Sequence, residues 1–398
     1  MRFFKGFPVK MFPTVDQDRF YIEGEHSKML ESYLETLRSV VDLDCGSHNV
    51  EGVTRVAEIM KANYESIGFH AELVDLGPTV GKGVFATNKP GAEHFDIMLN
   101  GHLDTVFPDG EAAKRPFKVE NGRTSGPGNA DCKAGVVSMF YGLKLAKKED
   151  LDRLAIAVCL NPDEEISSPA SRGWLQEMAK KCDRAMVFEC ARANGELIKS
   201  RKGRAVWEVK FHGVPAHAGN NPQDGRSSIL AAARFSLEVS KLQDLEGKGV
   251  SVTVGTIQGG TVPNTVPEWT TIRIDTRRRN DRDGEELDAA IADMAKQCWG
   301  EGVVTEATRV SLSPAMPHTG ESDKLVKIIN EAARLEGYDA RWVDSGGGSD
   351  ANRIAAVGTP VVDGCGPAGA CFHSDKEWMD ISTVESRSRM LSRVLSLI

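Results

Sequence analysis

The chain has 398 residues and a mass of 43.3 kDa, which at roughly 150 residues per domain implies two or three domains with room for large cores. Hydrophobic residues make up 40% and charged residues 27%, excluding a disordered chain, and no run approaches the ~18 uninterrupted apolar residues of a membrane span. A net charge of −8 excludes the basic excess of a nucleic-acid-binding surface, and eight cysteines without a C-x-x-C pair point to buried thiols rather than a disulfide or cysteine–zinc framework.

The first half alternates helical and strand patterns. Val53, Val56, Ala57, Met60 and Ile67 form a helical stripe over 51–69. Strands are expected at 70–76 and 95–99, then a small-residue-rich helix over 133–148. The continuous apolar run 154–160 has strand length, a helix follows near 172–181, and 185–188 is a short buried strand. Strands alternating with helices indicate an α/β sheet covered on both faces.

The texture changes after Ser200. Residues 205–211 (AVWEVKF) alternate like a half-exposed strand. A helix over 227–242, strands near 251–258 and 269–276, a charged helix over 285–297 and a strand over 303–312 complete the segment. Two helices against alternating strands suggest a small α+β domain with one sheet face solvated. The buried pattern then resumes with a helix over 323–335, strands near 340–343 and 360–363, and a helix from 382. The expected architecture is an α/β domain over 1–201 and 315–398, interrupted by an inserted α+β lid and dimerisation domain over 202–314. The Phe and Met content of the first twenty residues suggests packing on the α/β domain. The N-terminus has no apolar run long enough for a signal peptide, so a cytoplasmic protein with no membrane or nucleic-acid partner is expected.

Five short segments put metal-ligand residue types at strand ends or in the loops that follow, where open α/β sheets build their sites. They are Asn100-Gly-His102-Leu-Asp104-Thr105, the turn 126–135 containing Asp131, Asn161-Pro-Asp163-Glu164-Glu165, Phe188-Glu189-Cys190 and Phe372-His373-Ser374-Asp375. Mixed imidazole and carboxylate ligands suit zinc, and one carboxylate can bridge two ions. In H-x-D a strand period of two places both side chains on one face, where Asp104 can orient the His102 ring. Glu164 and Glu165 point in different directions, so one can face metal while its neighbour handles protons. Each segment alone is weak, since a lone strand-end His or Asp is more often structural. Five together, all outside the insert, are hard to assign to chance.

GHLDT, GPGNADCKAG, PDEE, FE and FHSDKEWMDIS, in this order and spacing, resemble the zinc-dependent exopeptidases that include carboxypeptidase G, aminoacylase and succinyl-diaminopimelate desuccinylase. The resemblance spans nearly the whole chain, including PAHAG and GGTVPNTVP in the insert. It implies two zinc ions per subunit, with cobalt or manganese suiting the same ligands. His102, Asp131 and Glu189 would hold one ion and Asp131, Glu165 and His373 the other, with a cis peptide at Asp131–Cys132. Glu164 would be the general base, Asp104 would support His102, and His217 would be a lid histidine that in dimers reaches the partner's site. Asn264 and Arg277 would bind the substrate carboxylate, with Gly347 and Gly348 lining the pocket. Arg278 and Arg279 read as a solvated basic cluster, and Cys132 as a space-filling thiol. The implied activity is hydrolysis of an amide next to a free-carboxylate amino acid in a small peptide, or in an N-acyl amino acid, by a homodimer. One position departs: Ser313 stands where carboxypeptidase G has an arginine before a Pro-Ala pair, which puts a glutamate product in doubt. Gly347-Gly-Ser349-Asp-Ala351 raises a serine-hydrolase alternative but misses the last glycine of G-x-S-x-G.

Overall fold

The computed structural model describes residues 17–398. The expectation for the first twenty residues lies outside the described side chains. Among the described residues no helix is long and apolar enough to cross a membrane.

Six strands build the central sheet: β1 (His70–Val74), β2 (Gly83–Thr87), β3 (Ile97–His102), β4 (Ile156–Asn161), β5 (Ala185–Val187) and β6 (Val361–Val362), in the order β1-β2-β4-β3-β5-β6. The four strands β4, β3, β5 and β6 run parallel, and β2 is antiparallel to its neighbours. Alternation along the strands feeds two cores. Ile97, Leu99, Ile156, Val158 and Leu160 face helices α1 (Gln17–Val41), α2 (Val50–Ser66), α3 (Ala134–Lys144) and α4 (Val384–Leu397), while Met98, Ala157 and Cys159 face the other side with Leu175 and Ile354. A strand buried on both faces reads as one continuous apolar run, as 154–160 does. Helix α1 was not expected; its stripe at Leu30, Tyr33, Leu34, Leu37, Val40 and Val41 packs on this core, and the Tyr33 hydroxyl donates to the Ala134 carbonyl at 2.8 Å.

Residues 203–313 form a separate antiparallel sheet of four strands, 251–259, 269–278, 203–212 and 304–313 in that order. Helices Ser228–Val239 and Asp281–Ala295 cover one face, burying Trp207, Val209, Phe211, Phe235, Ile272 and Ile291. Ile257, Val310 and Leu312 on its strands are exposed. Arg278 corrects the reading of a solvated cluster: it shares the inward face of strand 269–278 with Ile272, Ile274 and Thr276, so it is buried and lies toward Asp281 and Asp288, whereas Arg279 is exposed. All eight cysteines are free thiols, six of them buried.

Candidate metal centre

The five sequence segments converge at the carboxyl ends of β3, β4 and β5. His102 is the last residue of β3 and is 1% exposed. Its Nδ1 faces the Asp104 carbonyl at 3.0 Å and the Asp104 carboxylate at 3.3 Å. A proton held there leaves Nε2 as the free ring nitrogen. That nitrogen lies 3.2 Å from Asp131 Oδ1 and 3.5 Å from Glu189 Oε1. The second carboxylate oxygen of Asp131 lies 3.2 Å from His373 Nε2, which is also 3.2 Å from Glu165 Oε2. Atoms about 2.0–2.1 Å from a shared tetrahedral ion stand roughly 3.3 Å from one another. The donor set therefore fits two divalent cations sharing Asp131.

Local backbone explains how the groups meet. Asp131 sits in a turn over 129–133, with a cis Asp131–Cys132 peptide, directly before α3. A Cβ on Gly135 would come 1.7 Å from the Phe188 carbonyl oxygen, so only glycine lets α3 start against the chain that carries Glu189. Asp104 does more than orient a ring. The strand ends at His102, and Asp104 lies in the following loop, where Oδ1 accepts from the Glu164 amide at 3.1 Å. Its Oδ2 accepts from the Glu165 amide at 3.2 Å and from Ser47 Oγ at 2.6 Å. One buried carboxylate thus seats His102 and the Glu164–Glu165 turn together.

The electrostatics are those of a cation site. Hydrogen bonds to Asp131 and Glu165 push His373 up to about 10. Burial would raise the Asp131 carboxyl, yet hydrogen bonds from His102 and His373 hold it well below the usual range. Desolvation pushes Glu164 and Glu189 well above that range, against the pull of His102. Cys132 also lies near His102 and Glu189, but burial pushes its thiol up, and the thiol donates to the Phe188 carbonyl.

Comparison with known proteins agrees. The model of Peptidase family M20/M25/M40 matches residues 98–397. The chain belongs to this peptidase family. Carboxypeptidase G2 of Pseudomonas sp. (strain RS-16) is 30% identical over 373 residues, covering 91% of this chain and 88% of that protein. Succinyl-diaminopimelate desuccinylase of Nitrosococcus oceani is 26% identical over 359 residues, covering 84% and 90%. A solved tripeptidase of Staphylococcus aureus superposes with a TM-score of 0.73 at 21% identity, covering 92% of this chain and 97% of the other. This M20/M25/M40 member is thus a metal-binding hydrolase of peptide or amide bonds.

A cleft of about 590 Å³ opens from the ligand cluster toward the second sheet. Glu164, Glu165 and His373 line it together with Arg277, Ser313, Gly347 and Gly348. Arg277 donates to Asp275 at 2.8 Å and to the Gly346 carbonyl at 3.1 Å. His217 and Asn264 do not line this cleft; they sit together on a short pairing of residues 216–217 with 265–266. Ser349 Oγ caps the helix Asp350–Ala355 and donates to Asp363, a carboxylate already held by Arg201, and no histidine is among its hydrogen-bond partners in the described residues.

Sequence reasoning missed Glu377. This carboxylate, 1% exposed, accepts from the amides of Gly128 at 3.3 Å, Ala130 at 2.7 Å and Asp131 at 3.1 Å. It holds the turn that presents Asp131, although in Asp375-Lys-Glu377-Trp it reads as an exposed charge. Replacing a group that orients a metal ligand typically costs 10–100-fold in metal affinity. Glu377→Gln is expected to weaken metal binding about tenfold, as read by competition with a chromogenic chelator.

Proposed function

We propose that the protein is a dinuclear zinc exopeptidase that hydrolyses the amide next to a free-carboxylate amino acid. The observation that carries this reading is Asp131, whose two carboxylate oxygens face different histidines while Glu164 lines the adjoining cleft. In this assignment His102 and Glu189 complete one ion's ligands, and Glu165 and His373 the other's. Bound there, the ions would polarise the scissile carbonyl and acidify a water molecule. Glu164 takes a proton from the attacking water and returns it to the amine nitrogen as the C–N bond breaks, giving a carboxylic acid and a free amine. Desolvation raises its carboxyl, the direction in which a general base is tuned. Arg277 offers the free carboxylate of the substrate a planar fork of donors.

The segment 202–314 acts as lid and dimerisation domain in this reading. Strand 251–259 is a sheet edge, and Leu230, Leu237, Ile257 and Val262 are exposed apolar residues on the same domain. An unprotected edge beside apolar side chains is a natural pairing surface. In a homodimer His217 and Asn264 would complete the partner's cleft. Analytical ultracentrifugation is expected to give twice the 43.3 kDa chain mass.

A second reading, an N-acyl-amino-acid amidohydrolase or a dipeptidase with the same site, is favoured by the likeness to the desuccinylase. Hydrolysis of a panel of N-acyl and peptidyl amino acids, with added zinc and with chelator, decides between them. Metal-dependent cleavage is expected, and the best panel member names the leaving group. Metal binding without cleavage of any member would overturn the hydrolytic assignment in favour of an inert metal-binding dimer.

A further inference from the structure

The cleft beside Glu164 is lined by five cations: Arg172 and Arg353 on the central-sheet side, Lys202 at the junction, and Arg204 and Arg277 on the second sheet. Three carboxylates face them, and two of these, Glu164 and Glu165, belong to the ligand cluster. The third, Asp350, has both oxygens engaged, accepting from Asn161 and Ser168 at 2.5 Å each. Arg204 and Arg277 share one carboxylate, Asp275.

The remaining three cations form no ion pair among the described residues. Lys202 Nζ donates to the Gly249 carbonyl at 2.9 Å. Arg172 and Arg353 both donate to one acceptor, the Ser167 carbonyl, at 3.3 Å each. Two guanidiniums on a single carbonyl repel one another, and Arg353 is 5% exposed, so water screens that repulsion poorly. A guanidinium has five N–H donors, and its fork matches a carboxylate. Asp350 and Glu164 offset part of this repulsion without pairing directly with either guanidinium, so both keep donors for a further anion in the cleft. Ser313 lies in the same cleft, beside Gly348.

We propose that the substrate carries two anionic groups: beyond the free carboxylate opposite Arg277, a second carboxylate seats between Arg172, Arg353 and Lys202. This inference rests on the amide-hydrolase reading above and adds the charge class of its substrate. The second carboxylate belongs either to the released amino acid or to the acyl group; the chemistry of recognition is the same.

The test is a two-by-two set of substrates on the zinc-loaded enzyme: N-acetylalanine, N-acetylglutamate, N-succinylalanine and N-succinylglutamate. At least one substrate with an added carboxylate is expected to exceed N-acetylalanine in kcat/KM by tenfold or more, and the arm that does so places the charge. Arg172→Gln is expected to shrink that ratio at least tenfold, chiefly through KM. Arg172 is exposed, so its replacement reads the charge without disturbing packing, whereas Arg353→Gln removes a buried group and serves as the second variant. Equal kcat/KM for neutral and charged members, or a ratio unchanged in Arg172→Gln, overturns the inference while leaving hydrolysis intact. If no member is cleaved, the hydrolysis of N-acyl amino acids fails by itself. Calorimetric binding of the same four compounds then decides the charge preference, with equal Kd values overturning it.

Discussion

Glu164→Gln is expected to lower kcat about a thousandfold while leaving both ions bound. General acid–base catalysis contributes ~10²–10⁴-fold, and here one group serves both proton transfers, so the upper half of that range applies. Glutamine keeps the size and the backbone amide that Asp104 holds at 3.1 Å, so the turn that also carries Glu165 stays in place. Elemental analysis of the variant should return the wild-type metal content, and KM should change less than threefold. A kcat within tenfold of wild type would remove Glu164 from the proton-transfer role and direct attention to Asp350, the carboxylate of the cleft that is assigned to neither ion.

Asp131→Ala should have an effect as large for a different reason. Each of the other ligands is assigned to one ion, whereas Asp131 offers an oxygen to each. Its loss is expected to abolish activity and to reduce metal content to below half an ion per chain. Chelator should bring wild type to the same state, and added zinc should restore wild type alone. A ligand present at about a thousand times its Kd stabilises the folded state by ~4 kcal/mol. Zinc should therefore raise the melting temperature of wild type by several degrees and leave that of the variant unmoved. Retention of one tightly bound ion by Asp131→Ala would show that the two sites do not share this carboxylate.

Much of the ligand cluster was legible because its residue types stand next to recognisable strands. The FDIML, LAIAVCL and AMVF runs locate β3, β4 and β5, and the open-sheet rule then says where their next residues gather. Glu377 left no such signal: it follows no strand, and its partners are backbone amides, which a sequence does not display. Arg172 and Arg353 were equally hidden, since residues 181 positions apart in the chain meet only through the packing of two short helices against each other. Arg278 shows a third kind of loss. Three successive arginines look like one charged patch, but strand alternation sends the middle one inward, to be covered by the helix Asp281–Ala295. For His217 and Asn264, resemblance supplied the roles, and a single chain does not bring them to the cleft.

Arg277 is not idle in the absence of substrate. Its guanidinium already donates to Asp275 and to the Gly346 carbonyl. In the proposed reading a substrate carboxylate arriving there competes with these internal acceptors for the fork, and the net gain is smaller than the bonds it forms. The same acceptors stand ready to reclaim the arginine once the amide is cut. In the proposed reading Asp275 would thus be a resident competitor that helps expel the freed amino acid, exchanging tight capture for rapid turnover.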